Sequence, residues 1–167
     1  LAITGHKTTA PRGFGGLYLS ESLAKSYRPP YFGGEQGRGR RPDTENLPYA
    51  LGLAAAATRL AGNMKARQEK VRALNEQLRA GLAAFPEIEI NSPEGSVPEV
   101  LNFSENCIKS ETMLAFLAEK QIYVSSASAC GRGQPSHTLA AMGRSPLAID
   151  TAIRVSFCAD NTPEDVD

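Results

Sequence analysis

Nothing in this sequence favours a charged polymer or a bilayer as partner. Its 18 Lys and Arg balance 18 Asp and Glu, so no global field draws in nucleic acid or an anionic membrane. No stretch approaches the ~20 apolar residues that a membrane-spanning helix requires. Leu1-Ala2-Ile3 lacks the basic start and long apolar run of a secretory signal. Cysteine is sparse: Cys107, Cys130 and Cys158 are widely spaced and follow no metal-ligand pattern. An odd, sparse set suits reduced thiols in a reducing, cytoplasmic setting. There is no internal repeat and no low-complexity tail.

What is present alternates between strand and helix patterns. "LAIT" reads as a short buried strand and "GFGGLYLS" as another, its glycines suited to a turn or a close backbone approach. "RPPYFGGEQGRGRRPDTEN" is dense in Pro, Gly and Arg and without periodicity, which predicts a long loop. From Leu47 to about Phe85 the pattern is helical, alanine-rich at first and with a plausible break at Gly62-Asn63. Beyond it, Val71, Leu74, Leu78, Leu82 and Phe85 recur at steps of three and four, one apolar stripe on an amphipathic helix. "IEIN", "EVLNFS", "IYVSS" and "AIRVSF" read as strands. "SETMLAFLAEK", with Ser110 as cap, and "PSHTLAAMG", with Pro135 early and Gly143 at its end, read as helices. Such alternation predicts an α/β or α+β protein. The chain opens without methionine inside an apolar run. It closes on "TPEDVD", a Thr162 cap and Pro163 first turn with no helix after it. Both ends read as cut, so a segment of a larger protein is expected.

Four places could carry chemistry. Lys7 is either a solvated lysine after a strand or the nucleophilic amine of a site. Thr4, His6, Thr8 and Thr9 surround it with groups able to hold a phosphate, while a partly buried amine can form a Schiff base. Cys130 lies in "SSASACGRGQPSH", where small residues leave a thiol exposed and Arg132 favours the thiolate; it is either reactive or incidental. Cys107 and Cys158 have apolar or strand-like surroundings and read as buried, inert small hydrophobes. Arg154, inside the apolar strand "AIRVSF", is either an edge residue reaching water or a fork for a carboxylate. The arginines at 38, 40 and 41 clamp an anion or solvate their loop. His137 reads as a surface or capping residue.

Taken in order, these segments resemble the C-terminal part of the pyridoxal-phosphate-dependent cysteine desulfurases, the NifS-like branch of the class V aminotransferases. "TGHKTTAPRGFGGLYL" looks like the family's lysine segment. "FGGEQGRGRRPDTENLPYALGLAAA" resembles its glycine- and arginine-rich loop with the helix after it. "SSASACGRGQPSHTLAAMG" resembles the catalytic-cysteine segment and "AIRVSF" the carboxylate-binding strand. The likeness runs along essentially the whole chain.

The resemblance implies a fold type I architecture. Residues 1–62 would close the large, mostly parallel-sheet cofactor domain, and residues 63–167 would form a small α+β domain. It implies pyridoxal 5'-phosphate bound through Lys7, with Thr4 and His6 at the phosphate. Thr44 would reach a phosphate in the partner's site, hence a homodimer. Arg154 would hold the carboxylate of L-cysteine. Cys130 would take the sulfur as a persulfide for an acceptor protein, as in iron-sulfur cluster assembly. The family's ring-stacking histidine and ring-nitrogen aspartate lie upstream of the matched segments, so the segment alone is expected to be inactive. Other readings are a selenocysteine lyase, another class V enzyme, or a non-catalytic dimerisation fragment. No metal, nucleic acid or membrane is implied.

Overall fold

Ordering begins with a hairpin. In the computed structural model, which describes residues 1–126 and 134–167, strand β1 (Ala2–Thr4) pairs antiparallel with β2 (Gly15–Leu17). Leu1 and Tyr18 close its open end through backbone hydrogen bonds of 2.8 and 2.9 Å. Strand β1 is exposed along its length, not buried as "LAIT" suggested; among the described residues β2 is its single neighbour in the sheet. The chain divides into two compact units, Leu1–Met64 and Lys65–Asp167.

In the first unit, helix α1 (Glu21–Ser26) follows the hairpin, with Ser20 Oγ accepting from the Leu23 N–H. The Pro/Gly/Arg segment is a loop, as its composition predicts. It is interrupted by a four-residue turn, α2 (Gln36–Gly39), in which Gly37 and Arg38 take left-handed backbone angles. Helix α3 (Leu47–Leu82) then begins, and its backbone leaves helical geometry at Asn63, where φ is −135° and ψ 17°. The break falls within the Gly62-Asn63 pair that the sequence marks.

The second unit is built on a three-stranded antiparallel sheet in the order β3 (Glu89–Ile90), β4 (Val100–Ser104), β5 (Ala152–Ser156). Helix α4 (Ser110–Glu119) follows β4, with Ser110 as its first residue and Lys109 as its cap position. Two short helices precede β5. Helix α5 (His137–Ala141) starts where Ser136 Oγ accepts from the Leu139 N–H, and Gly143 takes φ +75° just beyond its end. Helix α6 (Pro146–Asp150) is capped by Ser145 with Pro146 at its first position. The segment "IYVSS" contributes a single bridge, Ser125 to Arg154, instead of a strand. At the C-terminal turn the Asp165 carboxylate accepts from the Thr162 N–H at 2.9 Å, and this bond holds its pKa below the usual carboxylate range.

Period-two alternation sorts the sheet into two faces. Leu101, Phe103, Ile153 and Val155 share one; Asn102, Ser104, Ala152 and Arg154 share the other. On the apolar side the α3 stripe supplies Val71 and Leu74, which cluster with Leu101 and Phe157; Leu78, Leu82, Ile90 and Val155 pack around them. Leu74 is 2% exposed. Leu74→Ala should therefore lower unfolding stability by about 2–5 kcal/mol, the range for truncating a buried leucine, read as a fall in the denaturant midpoint of this unit. A change under about 0.5 kcal/mol would show that this stripe does not form the core.

Candidate active site

Thr4, His6 and Lys7 sit together on one structural device. Strand β1 ends at Thr4 and the chain turns at once into a single 3-10 turn, Gly5–Thr8. Gly5 lies at its base, where its N–H donates to the Phe14 carbonyl at 3.0 Å and its carbonyl accepts from Ala10. A Cβ on Gly5 would stand 2.7 Å from the Phe14 carbonyl oxygen, so the position demands glycine. The Thr8 hydroxyl donates to the Gly5 carbonyl at 2.8 Å. Thr9, in the left-handed region at φ 63°, ends the turn and accepts from Arg59 at 2.7 Å. These bonds fix the turn and leave Thr4, His6 and Lys7 solvent-exposed on it.

Two of the four arginines in the arginine-rich loop are already engaged. Arg40 donates to the Ala24 carbonyl. Arg41 forms a 2.7 Å ion pair with Asp43, which neutralises the carboxylate next to Thr44. Thr44 is exposed on the segment before α3. Arg38, Arg40 and Arg41 all line a cavity of about 820 Å3 with Ile3, Leu17 and Tyr27.

Arg154 lies in the second unit. It stands half-buried on the polar face of β5, opposite Asn102 of β4, and its backbone exchanges two hydrogen bonds with Ser125. It lines a cavity of about 320 Å3 together with Asn91, Ser92, Asn102, Ser136 and His137. Its Nε is buried and has no hydrogen-bond partner among the described residues. An edge residue reaching water would not leave that N–H unmet. Asn91 and Asn102 are additions to the residues singled out from sequence. The signal for Asn102 was the phase of "EVLNFS", which places Asn102 and Ser104 on the face opposite Leu101 and Phe103.

Cys130 lies outside the described residues. Cys107 and Cys158 are both exposed, which corrects their reading as buried hydrophobes. Each sits in a turn just past a strand end: the Cys107 N–H is held by the Glu105 carboxylate and the Cys158 N–H by Asn161. Phe157, beside Cys158, takes the core position just past β5, while Ile108, beside Cys107, is itself exposed. Among the described residues no helix is long and apolar enough to cross a membrane.

The α/β fold, with its lysine turn and its arginine-bearing sheet, is that of the class-V aminotransferases, and the family model matches residues 1–167; the chain belongs to this family. Within it, the chain is similar to the NifS-like proteins. It is 37% identical over its whole length to a cysteine desulfurase of Gluconacetobacter diazotrophicus and 37% identical to the cysteine desulfurase NifS of Azotobacter vinelandii. It spans 42% of the length of each. A solved NifS-like protein superposes with a TM-score of 0.86 at 32% identity, covering 99% of this chain and 42% of that one.

Proposed function

We propose that this chain is part of a pyridoxal-phosphate-dependent cysteine desulfurase, which removes sulfur from L-cysteine, releases L-alanine and passes the sulfur on from Cys130. The observation that carries the reading is the buried, unpartnered Nε of Arg154 on the wall of a small polar cavity. Among the described residues no carboxylate forms an ion pair with this guanidinium. The order of the lysine turn, the loop, the cysteine segment and the arginine strand along the chain supports it further.

The lysine turn fits the cofactor. It offers one amine, one imidazole and the Thr4 hydroxyl from exposed positions 4, 6 and 7 around the buried Gly5, held by bonds that engage none of the three side chains. Lys7 would hold the cofactor through its amine, and Thr4 and His6 its phosphate. When bound, the cofactor supplies an electron-withdrawing ring that stabilises negative charge at the substrate carbon. The Lys7 amine, once free, moves the proton at the substrate Cα. Arg154 holds the substrate carboxylate through two parallel N–H bonds. The Cys130 thiolate attacks the substrate sulfur. An S–S bond forms, the Cβ–S bond breaks, and its electron pair stays with carbon, which takes a proton on the way to alanine.

Residues 1–62 are assigned to the cofactor domain and 63–167 to the small domain. Thr44 is assigned to the phosphate in a partner's site, in a cytoplasmic homodimer. The paired Asp43 leaves that role open to it.

Arg154→Lys keeps the charge and loses the fork. In the intact protein it should raise KM for L-cysteine by about tenfold to a hundredfold, the loss expected of a hydrogen bond to a charged group. The cofactor's visible band should persist. An unchanged KM would remove Arg154 from the site.

A further inference from the structure

The polar face of the small sheet carries a hydrogen-bond chain that the reading above leaves unused. It starts at the Ala148 carbonyl oxygen, which can only accept. Ser104 donates its hydroxyl proton there, at 2.6 Å, and has no second proton to give. Ser104 Oγ must therefore accept from Asn91, whose side chain stands 2.7 Å away. That contact fixes the near atom of Asn91 as its Nδ2. The same Nδ2 reaches the Asn102 side chain at 2.8 Å, so the Asn102 atom it meets must be the acceptor, Oδ1. With Oδ1 committed, the other end of the Asn102 amide is its two-proton donor, Nδ2. Asn91 is 1% exposed and Ser104 fully buried, so water cannot substitute for either link.

The backbone of Asn102 is equally constrained. Its N–H donates to Ser92 Oγ at 2.9 Å, and its carbonyl accepts from the N–H groups of Asn91 and Ser92. Across the strand pair Asn102 faces Arg154. Directly opposed residues send their side chains to the same face with Cβ atoms about 5 Å apart, and both line the same cavity. Among the described residues nothing accepts from Asn102 Nδ2.

The geometry points to Asn102 as a second carboxylate donor: its Nδ2 and the Arg154 guanidinium together bind the substrate's α-carboxylate, while Asn91 and Ser104 act as positioning residues that set the amide's direction. This rests on the proposed role of Arg154 and extends it. A carboxylate offers about four acceptor positions. A guanidinium fork takes two of them in one plane, and the amide N–H takes a third. Were the amide reversed, Oδ1 would face the anion and repel it. The chain anchored at Ala148 excludes that orientation.

The test uses the intact, cofactor-loaded protein and two probes. 3-Mercaptopropionate has the thiol and carboxylate of cysteine without the amine; cysteamine has the thiol and amine without the carboxylate. In Asn102→Ala, the Kd for 3-mercaptopropionate and the KM for L-cysteine should both rise about tenfold, as for loss of one hydrogen bond to a charged group. The kcat should stay within about threefold, and cysteamine binding should not change. Asn102→Asp, which turns an oxygen toward the anion, should be weaker still. If that variant does not fold, Asn102→Ala carries the test alone, since it keeps every backbone bond of the strand. Wild-type affinity for 3-mercaptopropionate in Asn102→Ala, beside a weakened Arg154→Lys, overturns the proposal and leaves Arg154 in place. Unchanged 3-mercaptopropionate binding in Arg154→Lys overturns the Arg154 assignment itself. Equal losses for both probes in Asn102→Ala would mark a structural role and also overturn the proposal.

Discussion

Cys130→Ala in the intact protein is expected to end sulfur release from L-cysteine while leaving the cofactor bound. Removal of a nucleophile that forms a covalent intermediate costs on the order of a thousandfold or more in turnover. On the proposed reading the early proton steps fall to Lys7, so the variant should still change its absorption on mixing with cysteine and then stall. Persulfide mass should vanish from the peptide containing residue 130. Cys107→Ala and Cys158→Ala provide the contrast. Both thiols are exposed in turns, so each change should cost under about 0.5 kcal/mol and keep activity. Desulfuration at the wild-type rate by Cys130→Ala would defeat the sulfur-transfer reading whatever the cofactor spectrum. A selenocysteine lyase would instead show itself by a strong preference for selenocysteine over cysteine, and an aminotransferase by release of a keto acid.

Lys7→Ala should have an effect of similar size by a different route. The turn that carries Lys7 is held by Gly5, Thr8 and Thr9, and none of those bonds uses the lysine side chain. The substitution should therefore leave folding intact and cut turnover about a thousandfold, within the usual range for a lost general base. Borohydride reduction of the wild-type protein followed by peptide mapping should place the pyridoxyl group on Lys7, and reduction of the variant should label nothing. A label on a different lysine would refute the assignment. Gly5→Ala makes a useful companion, because it drives a methyl toward the Phe14 carbonyl and should distort the turn without removing the amine.

The parts of the fold legible in the sequence were those with a strong local signal. Val71, Leu74, Leu78 and Leu82 announced the core-facing stripe of α3, whereas Phe85, read as its last member, lies exposed beyond the helix end; the break at Asn63 followed a Gly-Asn pair. Capping signals were present and passed over: Ser20 before Glu21 opens α1, and Ser145 before Pro146 opens α6. Both helices are under two turns long, too short for periodicity to register. "IYVSS" has strand composition, but strand formation depends on a partner, and among the described residues only Ser125 finds one. Burial of Cys107 and Cys158 was misjudged because composition reports a neighbourhood in sequence, while exposure depends on where the strand stops. The lysine turn and Arg154 stood out as residue types out of place. Asn102 did not, since an asparagine near the middle of a short strand is unusual only once its cross-strand partner is known.

The alternation of β4 and β5 has a consequence for how this protein can change over generations. Odd-numbered positions of the pair, 101, 103, 153 and 155, share the face that carries the core cluster; of the even-numbered ones, 102 and 154 line the cavity and 104 shares their face. Selection against unfolding and selection for ligand choice thus act on interleaved residues of the same ten-residue scaffold. A deep mutational scan should separate them by face, with thermal losses at 101, 103, 153 and 155 and affinity losses at 102 and 154. Ser104 is the place where the two pressures meet, since it is buried like a core residue and wired like a binding one. A lineage could retune the anion this face accepts, one even-numbered step at a time, without first accumulating spare stability.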